Sequence, residues 1–448
     1  MISNVLAMVK EVEPSFGELK IGKQKRTNQG EIKTNNDTHL IMISLDAVST
    51  DDVAFLLKQP HFSKLCSQGT LVKNVQSIFI SNTYPCHSSI ITGVHPNRHG
   101  LIENVFSQPG KTSPDWRRDA RLLKAPTLYE KAAEIGLEVC SIFYPVTCGA
   151  KIKWNFPEVP GEMGMVERAS VTLRGGSPWF ILSSIVKNKK YLKEIAEPHI
   201  DAFTTHIAVD ALLKKKPDLL LLHLLDVDDH KHRFGPDSPQ VTDALKRLDD
   251  HLGLLIDSAY QAWGEENTAV IVFSDHGCLN VSDSVDPNDW LRADGLIRKD
   301  DTSGAEHFDA FFHNAGGTSF LKIVNPSVEE TARNLVLNYL SQPSVHRALT
   351  EQEMEISGLD REFIFGLEAA KGYSFGESVK GSHGYSLAHD HYQPFYLAIG
   401  PDIEKNTVTE GGCIVDICPL AADLLDIPLW DMDGKNKLSG GAHHVTIH

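Results

Sequence analysis

Three apolar runs in this 448-residue chain each end in an aspartate: 39–45 leads into Asp46, 217–225 into Asp226 and 268–274 into Asp275. Runs of that kind read as buried parallel strands, and the carboxyl edge of a parallel sheet is where α/β proteins keep their chemistry. A single such aspartate reads equally well as a helix cap or a loop residue. Three of them point to one crevice. Asp226 is followed four residues later by His230, a spacing that sets both side chains on one face of a turn or helix, within reach of one metal ion. A solvated acidic loop is the alternative for that stretch. Asp275 is followed at once by His276.

A hydroxyl nucleophile is suggested earlier in the chain. In 81–100, SNTYPCHSSIITGVHPNRHG, an apolar stretch gives way to Thr83, and Pro85 follows where a first helical turn accepts proline. Backbone N–H groups at a helix start favour an anion, so Thr83 is placed to meet a phosphoryl group. The alternative is a capping threonine. Asn104, in the loop after Gly100, either brings an amide to the same anion or satisfies a turn.

The elements that must position these residues follow the pattern of an α/β protein. Helices are expected over 51–68, 127–136 (opened by a Thr127–Glu130 capping box), 241–259 and 415–425, with further strands over 137–143 and 395–399. Segment 149–191, with several glycines and Trp154, Phe156, Trp179 and Phe180, reads as irregular and as a pocket wall or lid. Residues 1–38 read as a polar extension. Residues 39–448 read as one catalytic domain, with an inserted subdomain over about 278–380.

Taken in order, the motif blocks resemble the nucleotide pyrophosphatase/phosphodiesterase branch of the alkaline-phosphatase superfamily. The blocks are Asp46; Thr83-Tyr-Pro-x-His-x-x-x-x-Thr-Gly93 with His99-Gly100 and Asn104; Asp226-x-x-x-His230 before Gly235-Pro236; Ser274-Asp275-His276-Gly277; Phe312-His313-x-x-Gly316-Gly317; and Gly381-Ser-His383-Gly-Tyr385. The resemblance runs from about 39 to 428. It implies an alkaline-phosphatase-like, doubly wound, mostly parallel sheet with helices on both faces and an inserted smaller subdomain. It also implies two divalent metal ions, one held by Asp226, His230 and His383, the other by Asp46, Asp275 and His276 with Thr83 bound as nucleophile. The Asp/His donor set suits Zn²⁺ first, with Mn²⁺ or Fe as alternatives. The run 228–232 offers rival ligands, and His230 is preferred because its spacing from Asp226 fits the motif. Asn104 would stabilise the transition state.

The implied reaction is cleavage of a phosphodiester or nucleotide pyrophosphate bond through a phosphothreonine at Thr83. The alternatives on the same site are a phosphonate hydrolase such as a phosphonoacetate hydrolase, for which Lys151 and Lys153 would be candidates, and a phosphomonoesterase using Arg98 or Lys73. A binding protein that kept the fold would lack a ligand or the nucleophile, and none is missing. The net charge of −16 argues against a nucleic-acid polymer as partner, leaving a small phosphodiester or nucleotide-like substrate. No apolar run reaches the length of a membrane span. The seven cysteines form no CxxC pair, and the N-terminal residues lack the layout of a secretory signal, so a cytoplasmic protein with free thiols is expected. Oligomeric state stays open.

Overall fold

Residues 40–45, 219–224 and 268–273 are buried without exception, which only a sheet covered on both faces allows. The structure, a computed structural model, describes residues 37–438 apart from 301, 390 and 391. The expected extension over 1–38 therefore lies outside the described residues, except for Asp37 and Thr38. The central sheet has eight strands: β1 (His39–Leu45), β2 (Thr70–Lys73), β3 (Val139–Ile142), β4 (Trp154–Phe156), β5 (Leu219–Leu224), β6 (Thr268–Phe273), Tyr396–Ile399 and Thr407–Glu410. Across the sheet they run Thr407–Glu410, β2, Tyr396–Ile399, β6, β1, β5, β3, β4. Tyr396–Ile399 is antiparallel to both its neighbours, and the other pairs are parallel.

Alternate residues of the strands build two separate apolar layers, as the two-residue side-chain period of a strand requires. Ile41, Ile43, Leu45, Leu220, Leu222, Val270 and Val272 pack with helices Thr50–Leu56, Pro60–Gln68, His199–Lys215 and Pro239–Trp263. Leu40, Met42, Leu219, Leu221, Ala269 and Ile271 pack on the opposite face with helices Thr83–Thr92, Leu128–Glu134 and Ile417–Leu424. The fold is thus the expected doubly wound α/β architecture. All seven cysteines are free. Among the described residues, no helix is long and apolar enough to cross a membrane.

Between β6 and Tyr396–Ile399 the chain builds a second, antiparallel sheet, ordered Ala310–Asn314, Thr318–Ile323, Phe365–Ala369, Val345–Ala348. It has its own apolar core around Phe311, Leu321, Val336 and Leu367. Its first hairpin turns at Gly316, where φ is +74° and an added Cβ would lie 2.5 Å from the His383 carbonyl oxygen. The next residue, Gly317, donates its N–H to that same oxygen at 2.7 Å. The glycine pair thus lets this sheet dock directly on the 381–385 segment.

Segment 149–191 differs from the expectation of irregular chain. It forms β4 and helices Met165–Gly175 and Pro178–Asn188. Pro178 occupies the first helical turn, where a missing N–H costs nothing, and the preceding glycines end one helix rather than dissolve the segment.

The two-layer packing makes a direct prediction. Leu222→Ala, at a fully buried β5 position, should lower unfolding free energy by about 3 kcal/mol. Val408→Ala, on the exposed edge strand, should change it by less than about 1 kcal/mol, both read by urea unfolding.

Candidate active site

The carboxyl edge of β1, β5 and β6 brings two groups of metal-competent side chains together. Donor atoms of Asp46, Asp275 and His276 lie within 4.8 Å of one another, and so do those of Asp228, His232 and His383. The groups adjoin, since the His276 and His383 rings stack with centroids 4.2 Å apart. Each imidazole is keyed the same way. His276 Nδ1 faces the Gly277 carbonyl at 3.1 Å, His232 Nδ1 the Gly381 carbonyl at 2.8 Å, and His383 Nδ1 the Asn82 amide oxygen at 2.7 Å. An Nδ1–H donated to oxygen leaves the Nε2 lone pair as the ligand. Burial holds His276 down to about 4 and His383 well below its usual value, so both rings are neutral.

The carboxylates fit a cation as well. Asp46 Oδ1, Asp275 Oδ2 and Asp228 Oδ1 are buried with no hydrogen-bond partner. Burial and the neighbouring carboxylates push the Asp46 pKa well above its usual value, and burial raises Asp275 to about 6. Buried carboxylates with orphaned oxygens are costly unless a positive charge meets them. Two imidazoles and a carboxylate, or two carboxylates and an imidazole, are donor sets suited to a borderline divalent ion.

The structure brings Asp46, Thr83, Asp275, His276 and His383 to this edge, but not Asp226 and His230. On helix Asp226–Phe234, Val227 and Lys231 form the buried stripe, and Asp226 and Asp228 lie on its two flanks, about 200° apart around the helix. Asp226 faces helix Pro239–Trp263, where its Oδ2 accepts from Arg247 Nε at 2.7 Å. His230 Nδ1 sits 2.9 Å from the Asp226 carbonyl oxygen of its own helix. Asp228 and His232, on the other flank, meet His383. The structure thus brings Asp228 and His232, rather than the expected Asp226 and His230, together with His383.

Thr83 is the first residue of helix Thr83–Thr92, in which every residue is buried. Its Oγ1 lies 3.3 Å from His276 Nε2. Asn82, the residue before it, makes no side-chain cap although asparagine is a favoured capping residue. Its amide is used elsewhere: Nδ2 donates to both Glu103 oxygens at 2.9 and 3.0 Å while Oδ1 receives His383. Glu103 also accepts the Asn104 backbone N–H at 2.5 Å, and Asn104 Oδ1 accepts the Tyr84 N–H at 2.8 Å. Asn104 is thereby fixed beside the start of the Thr83 helix with its amide NH2 as the donor end. Burial raises Glu103 to about 7, opposed by its hydrogen bonds to Asn104 and Asn82.

Sequence reasoning missed Asn82 and Glu103, although each directly precedes a residue it singled out. It also missed His223 and gave His87 of the Thr83 block no role, although both stand behind the carboxylates: His223 Nε2 lies 3.2 Å from Asp46 Oδ2 and His87 Nδ1 lies 3.5 Å from Asp275 Oδ2. A further strut is Lys231, 1% exposed, whose ammonium donates to the Ala47 carbonyl at 2.8 Å and to Asp52 at 2.5 Å. It ties the helix carrying Asp228 and His232 to the turn carrying Asp46.

A cavity of about 710 Å³ opens from this edge. Asn82, Glu103, Asn104, His232 and His383 form its floor, and the loop after Asn104 and the second sheet form its walls. Segment 149–191, expected as a wall or lid, contributes nothing to this lining.

The fold and the paired donor groups define an α/β protein of the alkaline-phosphatase superfamily. Within it, the chain belongs to the type I phosphodiesterase/nucleotide pyrophosphatase family, whose model matches residues 40–358. It is 24% identical over 416 residues to human ectonucleotide pyrophosphatase/phosphodiesterase family member 5, covering 88% of this chain and 76% of that protein. It is 24% identical over 411 residues to the human bis(5'-adenosyl)-triphosphatase ENPP4, covering 87% and 78%. With the venom phosphodiesterase CdcPDE of Crotalus durissus collilineatus the identity is 24% over 402 residues, and the match spans 86% of this chain but 43% of the venom enzyme. The structure of inactivated murine family member 5 in complex with AMP superimposes with a TM-score of 0.64 at 20% identity, covering 89% of this chain and 97% of that one. That likeness shows the fold.

The Lys231 strut yields a prediction. Lys231→Met keeps the buried stem and leaves Asp52 without its cation, so unfolding free energy should fall by about 3 kcal/mol. Chemical denaturation of the two proteins side by side measures it.

Proposed function

We propose that this chain is a two-metal hydrolase that cleaves a phosphodiester or nucleotide pyrophosphate bond through a phosphothreonine on Thr83. The observation that carries this reading is the Thr83 hydroxyl at a helix start, 3.3 Å from His276 Nε2 at the junction of two donor groups with orphaned carboxylate oxygens. Asp228, His232 and His383 would hold one ion, and Asp46, Asp275 and His276 the other, with Thr83 beside it. The Asp/His donor sets favour zinc. When bound, such ions lower the pKa of a hydroxyl and stabilise a leaving oxygen.

The protein groups then have defined tasks. Thr83 Oγ1 forms a bond to phosphorus as the bond to the leaving oxygen breaks, giving an alcohol or a nucleotide and the phosphothreonine. Attack by water on that phosphorus releases the phosphate monoester and restores the Thr83 hydroxyl. The Asn104 NH2 donates to a phosphoryl oxygen as its charge grows, its other end held by the Tyr84 N–H. Glu103 and Asn82 hold His383 in the tautomer that presents Nε2.

The engagement of the candidate cations supports a diester over a monoester or phosphonate. Arg98 pairs with Asp431 and Asp433 at 2.6 Å, Lys73 with Glu410 at 3.6 Å, and Lys153 with Glu138. None of them, nor Lys151, lines the cavity. A doubly charged phosphoryl end or a substrate carboxylate would call for such a cation.

Two experiments test the reading. Zinc-loaded wild type should hydrolyse a nitrophenyl phosphodiester faster than the matching monoester and phosphonoacetate, and Thr83→Ala should lose at least about a thousandfold in kcat while still binding metal. Dominant monoester or phosphonate turnover would sink the diester assignment. In metal analysis after dialysis, His232→Ala should retain about one equivalent less than wild type, whereas His230→Ala should retain both. The reverse pattern would restore the Asp226–His230 ligand pair.

A further inference from the structure

Helices Met165–Gly175 and Pro178–Asn188 take no part in the cavity, and their outer surface is unlike the rest of the molecule. Of the thirteen large apolar side chains left exposed among the described residues, five fall within 165–195: Met165, Val166, Trp179, Val186 and Ile195. Exposed apolar residues scattered singly carry no meaning, but here they gather in a small part of the chain. Trp179 is 77% exposed, whereas the other five tryptophans are buried or half-buried.

The second of these helices is amphipathic in an unusual sense, with apolar side chains on both sides. Its inner side carries Phe180 and Ile181 into the core layer beneath. On the outer side Trp179 and Val186 lie about 20° apart around the helix, and Lys187 and Lys189 stand about 80° to either side of Trp179. Lys190 and Lys193 follow directly. All four lysines are exposed and make no ion pair among the described residues. Across 182–196 they meet one carboxylate, Glu194.

A tryptophan on the centre line with lysines on both shoulders suits a lipid surface better than a protein partner. Lysine is depleted from the cores of protein interfaces, whereas at a bilayer its stem covers apolar surface and its ammonium reaches the phosphates. The chain as a whole carries a net charge of −16, which rules out a general attraction to anionic surfaces and leaves this local group of cations to set the orientation.

We propose that the outer face of helix Pro178–Asn188 docks the protein on an anionic lipid bilayer, with Trp179 and Val186 entering the headgroup region and Lys187, Lys189, Lys190 and Lys193 meeting lipid phosphates. The contact is peripheral and separate from the bond-cleaving groups, so it stands or falls independently of the phosphodiesterase reading.

The test is co-sedimentation of the full-length protein with phosphatidylcholine vesicles and with vesicles that also contain phosphatidylglycerol. Binding to the anionic vesicles should be at least about tenfold tighter than to the neutral ones and should weaken as salt rises. Trp179→Ala should weaken it at least about fivefold, and Lys187→Glu combined with Lys189→Glu at least about tenfold. These side chains face solvent, so both variants should unfold at the wild-type urea midpoint. Absence of a preference for anionic vesicles, or a preference that either variant retains in full, overturns the proposal. Reversible self-association of the wild type that Trp179→Ala abolishes also overturns it, by making a second copy of this chain the occupant.

Discussion

Three carboxylates with orphaned oxygens, Asp46, Asp275 and Asp228, are held in one buried crevice, and the rest of the molecule is arranged so that they cannot move apart. Left in water, such groups would separate and hydrate. Here Asp46 and Asp275 leave adjacent strands whose registers are fixed by parallel pairing, with Ser44 opposite Phe273 at the top of the ladder. The Ala47 N–H donates to Asp275 Oδ1 at 3.2 Å across the same gap. Burial and, after it, the repulsion raise the pKa of Asp46 rather than distorting the sheet, because both faces of β1, β5 and β6 are packed against helices. That stiffness is what lets a protein hold an electrostatically unfavourable arrangement ready for a cation.

The chemistry then falls between two helices from opposite faces of the sheet. Thr83 begins one that packs among Leu40 and Met42, while Asp228 and His232 lie on one whose Val227 packs among Ile43 and Leu45. Neither helix places its reactive residue alone. Lys231 ties one helix to the turn after β1, and Asn82 ties the other, through its amide, to both Glu103 and His383. Asn82 forgoes a cap to do this, a local preference yielding to the needs of the site.

Much of this was legible in the residues. Continuous apolar runs marked the buried strands, since a doubly covered strand leaves no polar alternation, and their terminal aspartates marked the edge. The places of Thr83 at a helix start and of Asn104 in a loop were readable because helix starts and loops have local signatures. Which Asp–His pair of helix Asp226–Phe234 meets His383 was not, and the reason is geometric. Asp226–His230 and Asp228–His232 share the same spacing and flank the same buried stripe, so only tertiary packing decides which flank meets His383 and which meets Arg247. Asn82 and Glu103 were hidden for a related reason: Asn82 meets His383, which comes from far along the chain, and Glu103 holds the other end of the Asn82 amide. The helices within 149–191 were obscured by glycines that turn out to sit at helix ends.

The position of Tyr396–Ile399 in the sheet constrains the order in which the molecule can be assembled during synthesis. β2 is made early, yet its two neighbours in the sheet are Tyr396–Ile399 and Thr407–Glu410, both near the far end of the described chain. Until those strands leave the ribosome, Thr70–Lys73 has nothing to pair with on either side, and β6 keeps one open edge. The same delay applies to His383, which joins Asp228 and His232 only late in synthesis. Unpaired strand edges of this kind are what holding chaperones bind and what self-association exploits. The one strand that runs against the others thus sets a long interval in which the nascent protein depends on protection.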